Sequence, residues 1–183
     1  EIQHRKCAQG DPDRNLWIYE KMLAENETLE PRHQLDYGRE LFYHQKYQET
    51  ADVLEAFLEE PDAWTENRID ACMILGQCYD KIGKKERALE AFLYSLTLDI
   101  PRAEICCEIG KIFLERSWYR QAAYWYGQAL TASSEKKKGG FFMAECHRFV
   151  PYMQLCVCYD RMGCHEQAFF FHKKAEEEKP DDP

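Results

Sequence analysis

Ile74-Leu75-Gly76-Gln77-Cys78-Tyr79, followed by Gly83 and Ala88, decides how this chain folds. The stretch returns as Leu155-Cys156-Val157-Cys158-Tyr159, with Gly163 and Ala168 at the same offsets. A third copy reads Ile109-Gly110-Lys111-Ile112-Phe113, with Ala122, Tyr126 and Ala129 behind it. Counting Ile69 as position 1 puts Gly76 at 8, Tyr79 at 11, Gly83 at 15, Ala88 at 20 and Phe92 at 24. The next unit starts at Ala103, 34 residues on, and another at Phe149, 46 residues further, after an insertion of about 12. A weaker first unit starts at Pro31, with Gly38 at position 8 and Tyr47 where the third unit has Tyr119. The units run near 31–62, 69–101, 103–134 and 149–181, and residues 133–148 form the insertion loop. A repeat this short cannot bury its apolar face alone, so neighbouring copies must stack.

The small residues have a physical task. Gly or Ala at positions 8 and 20 lets two antiparallel helices cross closely, and the aromatics at 11 and 24 fill the space around them. Helix pairs are predicted at 31–44 and 47–60, 66–82 and 84–98, 102–116 and 118–132, and 148–162 and 165–178. A further helix is predicted from Asp11-Pro12, with Asp as cap and Pro in the first turn. Its stripe of Leu16, Tyr19, Met22 and Leu23 would cover the first pair. The run Ser133-Ser134-Glu135-Lys136-Lys137-Lys138-Gly139-Gly140 reads as an exposed loop.

This pattern resembles the tetratricopeptide repeat. The resemblance implies an all-α fold, a right-handed αα superhelix of about four helix pairs plus the N-terminal helix. Departures exist: the usual Trp at position 4 is Cys72, Cys106 or Tyr152, and the fourth unit has Cys156 for Gly and His172 for Phe. The first unit has Thr50 for Ala.

Composition narrows the function. The chain has 183 residues, 45% apolar and 31% charged, which is an ordinary globular balance. Its net charge of −9 disfavours an electrostatic grip on nucleic acid or an anionic membrane. No apolar run is long enough to span a bilayer, and the N-terminus has no signal-peptide core. It also lacks an initiator Met, so the sequence reads as part of something longer. Nine cysteines, most within helical patterns and none in a C-x-x-C pair, read as reduced thiols in a cytoplasmic setting.

By helical spacing and by the family resemblance, positions 2, 5, 9, 12 and 13 face the concave side. The candidate binding residues there are Arg32, Arg39 and Tyr43, then Met73, Gln77 and Lys81, then Lys111, then Met153 and Arg161. Leu35, Glu104, Cys107 and Val157 occupy the same positions. The Lys and Asn clamp with which some relatives hold an acidic C-terminus is absent. The mixed charges suit a protein or peptide ligand, and equally a solvated face with none. Phe169-Phe170-Phe171 points three rings about 100° apart on the last helix. At least one ring is expected to stay exposed and to pair with a second copy or another domain; the alternative folds all three inward with Phe141 and Phe142.

No catalytic constellation is present: there is no P-loop, G-x-S-x-G or H-E-x-x-H. Cys146-His147 and Cys164-His165 are the nearest approach to a metal cluster, but the shared repeat positions of the other cysteines favour packing, and no metal or cofactor is expected in this chain.

A second resemblance is carried by His4-Arg5-Lys6, Gly10-Asp11-Pro12-Asp13-Arg14-Asn15-Leu16, Ile18-Tyr19-Glu20-Lys21-Met22, Pro31-Arg32, Gly38-Arg39-Glu40-Leu41 and the run from Val150 to Arg161. These strings look like the region after the catalytic domain in bacterial family 2 glycosyltransferases with C-terminal tetratricopeptide repeats. The resemblance implies that residues 1–12 are a linker from an N-terminal nucleotide-sugar domain, and that residues 13–183 are the repeat domain. A divalent metal and a nucleotide-sugar would belong to that other domain. The expected function is protein interaction or assembly, positioning an acceptor or pairing enzyme copies; the alternative is a free-standing adaptor.

Overall fold

The computed structural model describes residues 13–132 and 141–179. Among these residues there is no strand. They form α1 (Arg14–Ala24), α2 (Pro31–Tyr43), α3 (Tyr47–Leu58), α4 (Thr65–Lys81), α5 (Lys85–Tyr94), α6 (Ala103–Glu115), α7 (Tyr119–Thr131), α8 (Phe149–Arg161) and α9 (His165–Glu178). Short 3-10 turns follow α5 at Ser95–Thr97 and precede α8 at Ala144–His147. The helices pack in chain order, each against the next, as an αα solenoid. First helices also meet across units, α2 with α4 and α6 with α8, whereas no two second helices come as close among the described residues. The first helices therefore line the inner face.

The same turn closes the first helix of every unit. Position 15 is Gln45, Gly83, Ser117 and Gly163, and each has a left-handed φ of 59°, 78°, 60° and 75° respectively. The next amide reaches back across the turn each time: Lys46 to Leu41, Lys84 to Tyr79, Trp118 to Phe113 and Cys164 to Tyr159, at 2.8–2.9 Å. That geometry satisfies carbonyls the helix end leaves open. Glycine enters this conformation without a Cβ penalty, whereas Ser117 and Gln45 do not. Ser117→Gly is expected to raise the unfolding free energy by about 1 kcal/mol in urea denaturation. A loss of stability would show that the Ser117 side chain makes a contact worth more than the strain.

Packing inside the units follows positions 8 and 24. A Cβ built on Gly38 falls 2.5 Å from Leu54, one on Gly76 falls 2.3 Å from the Phe92 ring, and one on Gly110 falls 3.0 Å from the Tyr126 ring. Helix α4 is buried around most of its circumference, from Ile69 through Tyr79, and forms the centre of the array. Cys72 and Cys106 share position 4, Cys78 and Cys158 share position 10, and all four thiols are buried. Burial pushes the first three up to about 12 and Cys158 up to about 11.

One expectation changes, at the N-terminal helix. The predicted start at Asp11-Pro12 lies outside the described residues; α1 itself begins after Asp13. Leu16 is buried with Tyr37 and Leu41, and Tyr19 and Met22 pack against them, but Leu23 is exposed. Helix α1 packs chiefly on α2, which leaves the Leu23 edge of the stripe uncovered. The Ser133–Gly140 run of the insertion lies outside the described residues; residues 141–148 carry the second 3-10 turn, in which Cys146 is buried while Phe142, Met143, Ala144 and Glu145 are exposed.

Candidate interaction groove

The inner face is crossed by polar pairs that join one unit to the next. Arg39 Nε donates to Asp70 at 2.9 Å, and its NH1 group donates to Asp36 at 2.7 Å. Burial works against the Arg39 charge, but Asp70 and Asp36 outweigh it and raise the guanidinium's value. Gln77 donates to Glu108 at 3.2 Å, and Lys111 to Asp80 at 2.7 Å. Lys85 also bonds Asp80, and it reaches Glu115 in the next unit. Burial alone would raise the Asp80 carboxyl; Lys111 and Lys85 together hold it below its ordinary value. Arg102 bonds Glu66 and Asp99 at 2.8 Å each, at the entry to the third unit.

This network sorts the candidate groove residues. Arg39, Gln77 and Lys111 hold neighbouring first helices together and are already paired. Met73 is only 6% exposed and belongs to the core, and Leu35 is buried in the same cluster, whereas Met153 at the same position of the last unit stays exposed. Arg32, Tyr43, Lys81, Met153 and Arg161 remain exposed, with Val157 beside them on α8.

The third unit's part of the groove is covered by the chain itself. The Met143 amide donates to the Glu104 carboxylate at 2.7 Å, and the Cys107 thiol donates to the Cys146 carbonyl at 3.6 Å. Phe142 stacks on His147, whose Nε2 lies 3.6 Å from Glu104. Glu104 and Cys107 are thus buried rather than facing solvent. Nothing in the 34-residue pattern could reveal this, because the segment lies outside the period.

The open part of the groove lies between the first and second units. A cleft of ≈ 430 Å³ separates α2 from the start of α4, lined by Arg32, Leu35, Asp36, Arg39, Trp64 and Asn67. Trp64 is 53% exposed and Tyr43 71%. Trp64 was not among the sequence candidates. It sits just before α4, outside the helical positions that spacing assigns to the groove; an unburied Trp at a repeat junction is the signal that points to it.

At the far end the three phenylalanines divide. Phe171 stacks on Tyr159 at 5.4 Å and lies 6.3 Å from Tyr152, so it is folded against α8. Phe169 and Phe170 stay 63% and 55% exposed. Among the described residues no group of three His, Cys, Asp or Glu side chains is arranged to hold a metal ion. No helix among them is long and apolar enough to cross a membrane.

No protein-family model matches the chain, and no curated protein does. Solved structures do. MamA aligns with a TM-score of 0.73 at 17% identity, over 96% of this chain and 97% of that one. MamA from Desulfovibrio magneticus RS-1 aligns at 0.70 and 18%, over 95% and 89%. YrrB, described as a TPR protein with an unusual peptide-binding site, aligns at 0.68 and 18%, over 93% and 79%. At these identities the likeness establishes the architecture, and this chain has the tetratricopeptide-repeat αα solenoid fold.

Proposed function

We propose that this chain is a protein-interaction module that takes an extended peptide segment along its inner face, entering at the cleft between the first two units. The observation that carries this reading is the cleft itself, where Trp64 stands exposed beside Arg32, whose side chain is exposed 4.0 Å from Asp36, while Arg39 is already paired with Asp36 and Asp70. Exposed Trp, Tyr and Arg are the side chains that most often dominate binding energy at protein interfaces. YrrB's peptide-binding site adds support by analogy of fold alone. We extend the reading to a cytoplasmic setting, supported by eight described cysteines that are all free thiols. The acidic net charge argues against nucleic acid as the partner. The finer assignment, the C-terminal repeat region of a family 2 glycosyltransferase, rests on the sequence strings from His4 to Leu41 and from Val150 to Arg161. In that setting the module positions a protein acceptor, and any metal or nucleotide-sugar is held elsewhere.

Self-association is a second reading, favoured by the exposure of Phe169 and Phe170. One experiment separates the two. Peptides selected from a random library on the wild-type protein are titrated against Arg32→Glu, Trp64→Ala and Phe170→Glu variants. The groove reading expects a loss of at least about tenfold in affinity for the first two, near 1.4 kcal/mol, and no change for the third. Arg39→Glu and Lys111→Glu are poor probes, since they break the pairs that join the units. Failure to enrich any peptide, or loss confined to Phe170→Glu, overturns the groove reading.

A further inference from the structure

We propose that Cys107 and Cys146 form a redox pair whose oxidation to a disulfide fastens the 141–148 segment onto α6. Cys107 lies in the middle of a repeat helix, and Cys146 in the 3-10 turn of the insertion, 39 residues later. The Cys107 thiol donates to the Cys146 carbonyl at 3.6 Å, which sets the two cysteines side by side across the seat. Interaction with Cys146 comes first, and burial second, in raising the Cys107 thiol above its ordinary value. The other described cysteines have different company: Cys78 meets Thr50, and Cys164 the Met162 carbonyl. An S–S bond of about 2.05 Å then requires the two sulfurs of these neighbouring residues to turn toward each other.

The segment is held in a way that lets it open. Its seat consists of the Met143 amide on Glu104, the Cys146 carbonyl on Cys107, and His147 between Phe142 and Glu104. Both ring nitrogens of His147 are buried without a hydrogen-bond partner. A seat that leaves buried polar atoms unsatisfied is a site of local opening. On opening, Cys146 leaves with the segment and its thiol becomes accessible to a dissolved disulfide.

A glutathione disulfide then completes the chemistry. The Cys146 thiolate attacks one sulfur, forms a mixed disulfide and releases one glutathione thiolate. When the segment reseats, the Cys107 sulfur attacks the Cys146 sulfur, forms the Cys107–Cys146 bond and releases the second glutathione. Two electrons pass from the protein thiols to the glutathione disulfide, and the two thiol protons end on two glutathione molecules. The closed form keeps Glu104 and Cys107 covered, whatever the open cleft binds.

The test incubates the whole chain with oxidised glutathione, alkylates the remaining thiols and maps the tryptic peptides by mass spectrometry. The expected product links the Ala103–Lys111 peptide to the peptide carrying Cys146. It survives Cys106→Ser and disappears in Cys107→Ser. Oxidation is also expected to raise the unfolding temperature of the wild type by about 5 °C or more, reversed by dithiothreitol and absent in Cys146→Ser. Full alkylation of both thiols after oxidation, or a link that persists in Cys107→Ser, overturns the proposal. Circular dichroism of each variant before oxidation confirms that the fold is intact, and cross-linking in the wild type stands as a readout even if one variant fails to fold.

Discussion

Gly76→Val is expected to lower the unfolding free energy by about 3 kcal/mol, at the upper end of what overpacking a tight interior costs. The reason lies in one contact. A Cβ at position 76 falls 2.3–2.6 Å from three atoms of the Phe92 ring, and Phe92 is fully buried. A rigid ring enclosed on all sides has no direction in which to retreat, so α4 and α5 must separate. The internal controls sharpen the expectation. At Gly127 an added Cβ meets nothing within 4 Å, so Gly127→Ala is expected to gain about 0.5–1 kcal/mol from helix propensity alone. At Gly38 the obstacle is the branched end of Leu54, which turns aside more easily than a ring. Urea denaturation with unchanged m-values reads all three. A Gly76→Val protein as stable as Gly127→Ala would remove the close crossing as the basis of the repeat.

Phe92→Ala is expected to cost more, about 3–5 kcal/mol, because it opens a cavity at the centre of the array. The ring belongs to the cluster that joins the first three units through Leu54, Phe57, Ile74, Ile105 and Ile109. Its loss therefore weakens packing on both sides of α4 and α5. The same substitution removes the obstacle facing position 76. In the Gly76→Ala/Phe92→Ala double variant the new methyl enters the vacated space. The double variant is thus expected to be more stable than the sum of the single losses by about 0.5–3 kcal/mol, the range for residues in direct contact. Strict additivity would mean that the two positions do not touch.

The helices themselves were readable in advance because their cause is local and repeated. Position 8 glycines, position 24 rings and the turn at position 15 recur at one spacing, so four noisy copies support one another. Even Gln45 and Ser117, which lack the glycine of their counterparts, adopt its left-handed backbone because the stacked unit imposes it. Leu23 shows where such reading stops: helical spacing places it on the apolar stripe, but only contact with α2 determines how wide a stripe is covered. Likewise three adjacent phenylalanines announce an exposed ring without saying which; Phe171 turns inward because Tyr152 and Tyr159 offer faces to stack on.

The period alone established a helical-repeat solenoid, since small residues at fixed offsets admit one way for two helices to cross and one way for pairs to continue. Tertiary structure alone decided which inner-face side chains are free. Arg39 finds Asp70, and Lys111 finds Asp80, across 31 residues of chain, and the inserted segment settles over Glu104 and Cys107 from outside the repeat. Helical spacing says which way a side chain leaves its own backbone; what it meets there depends on the neighbouring helix, and so on the stacking of units that only the folded chain contains.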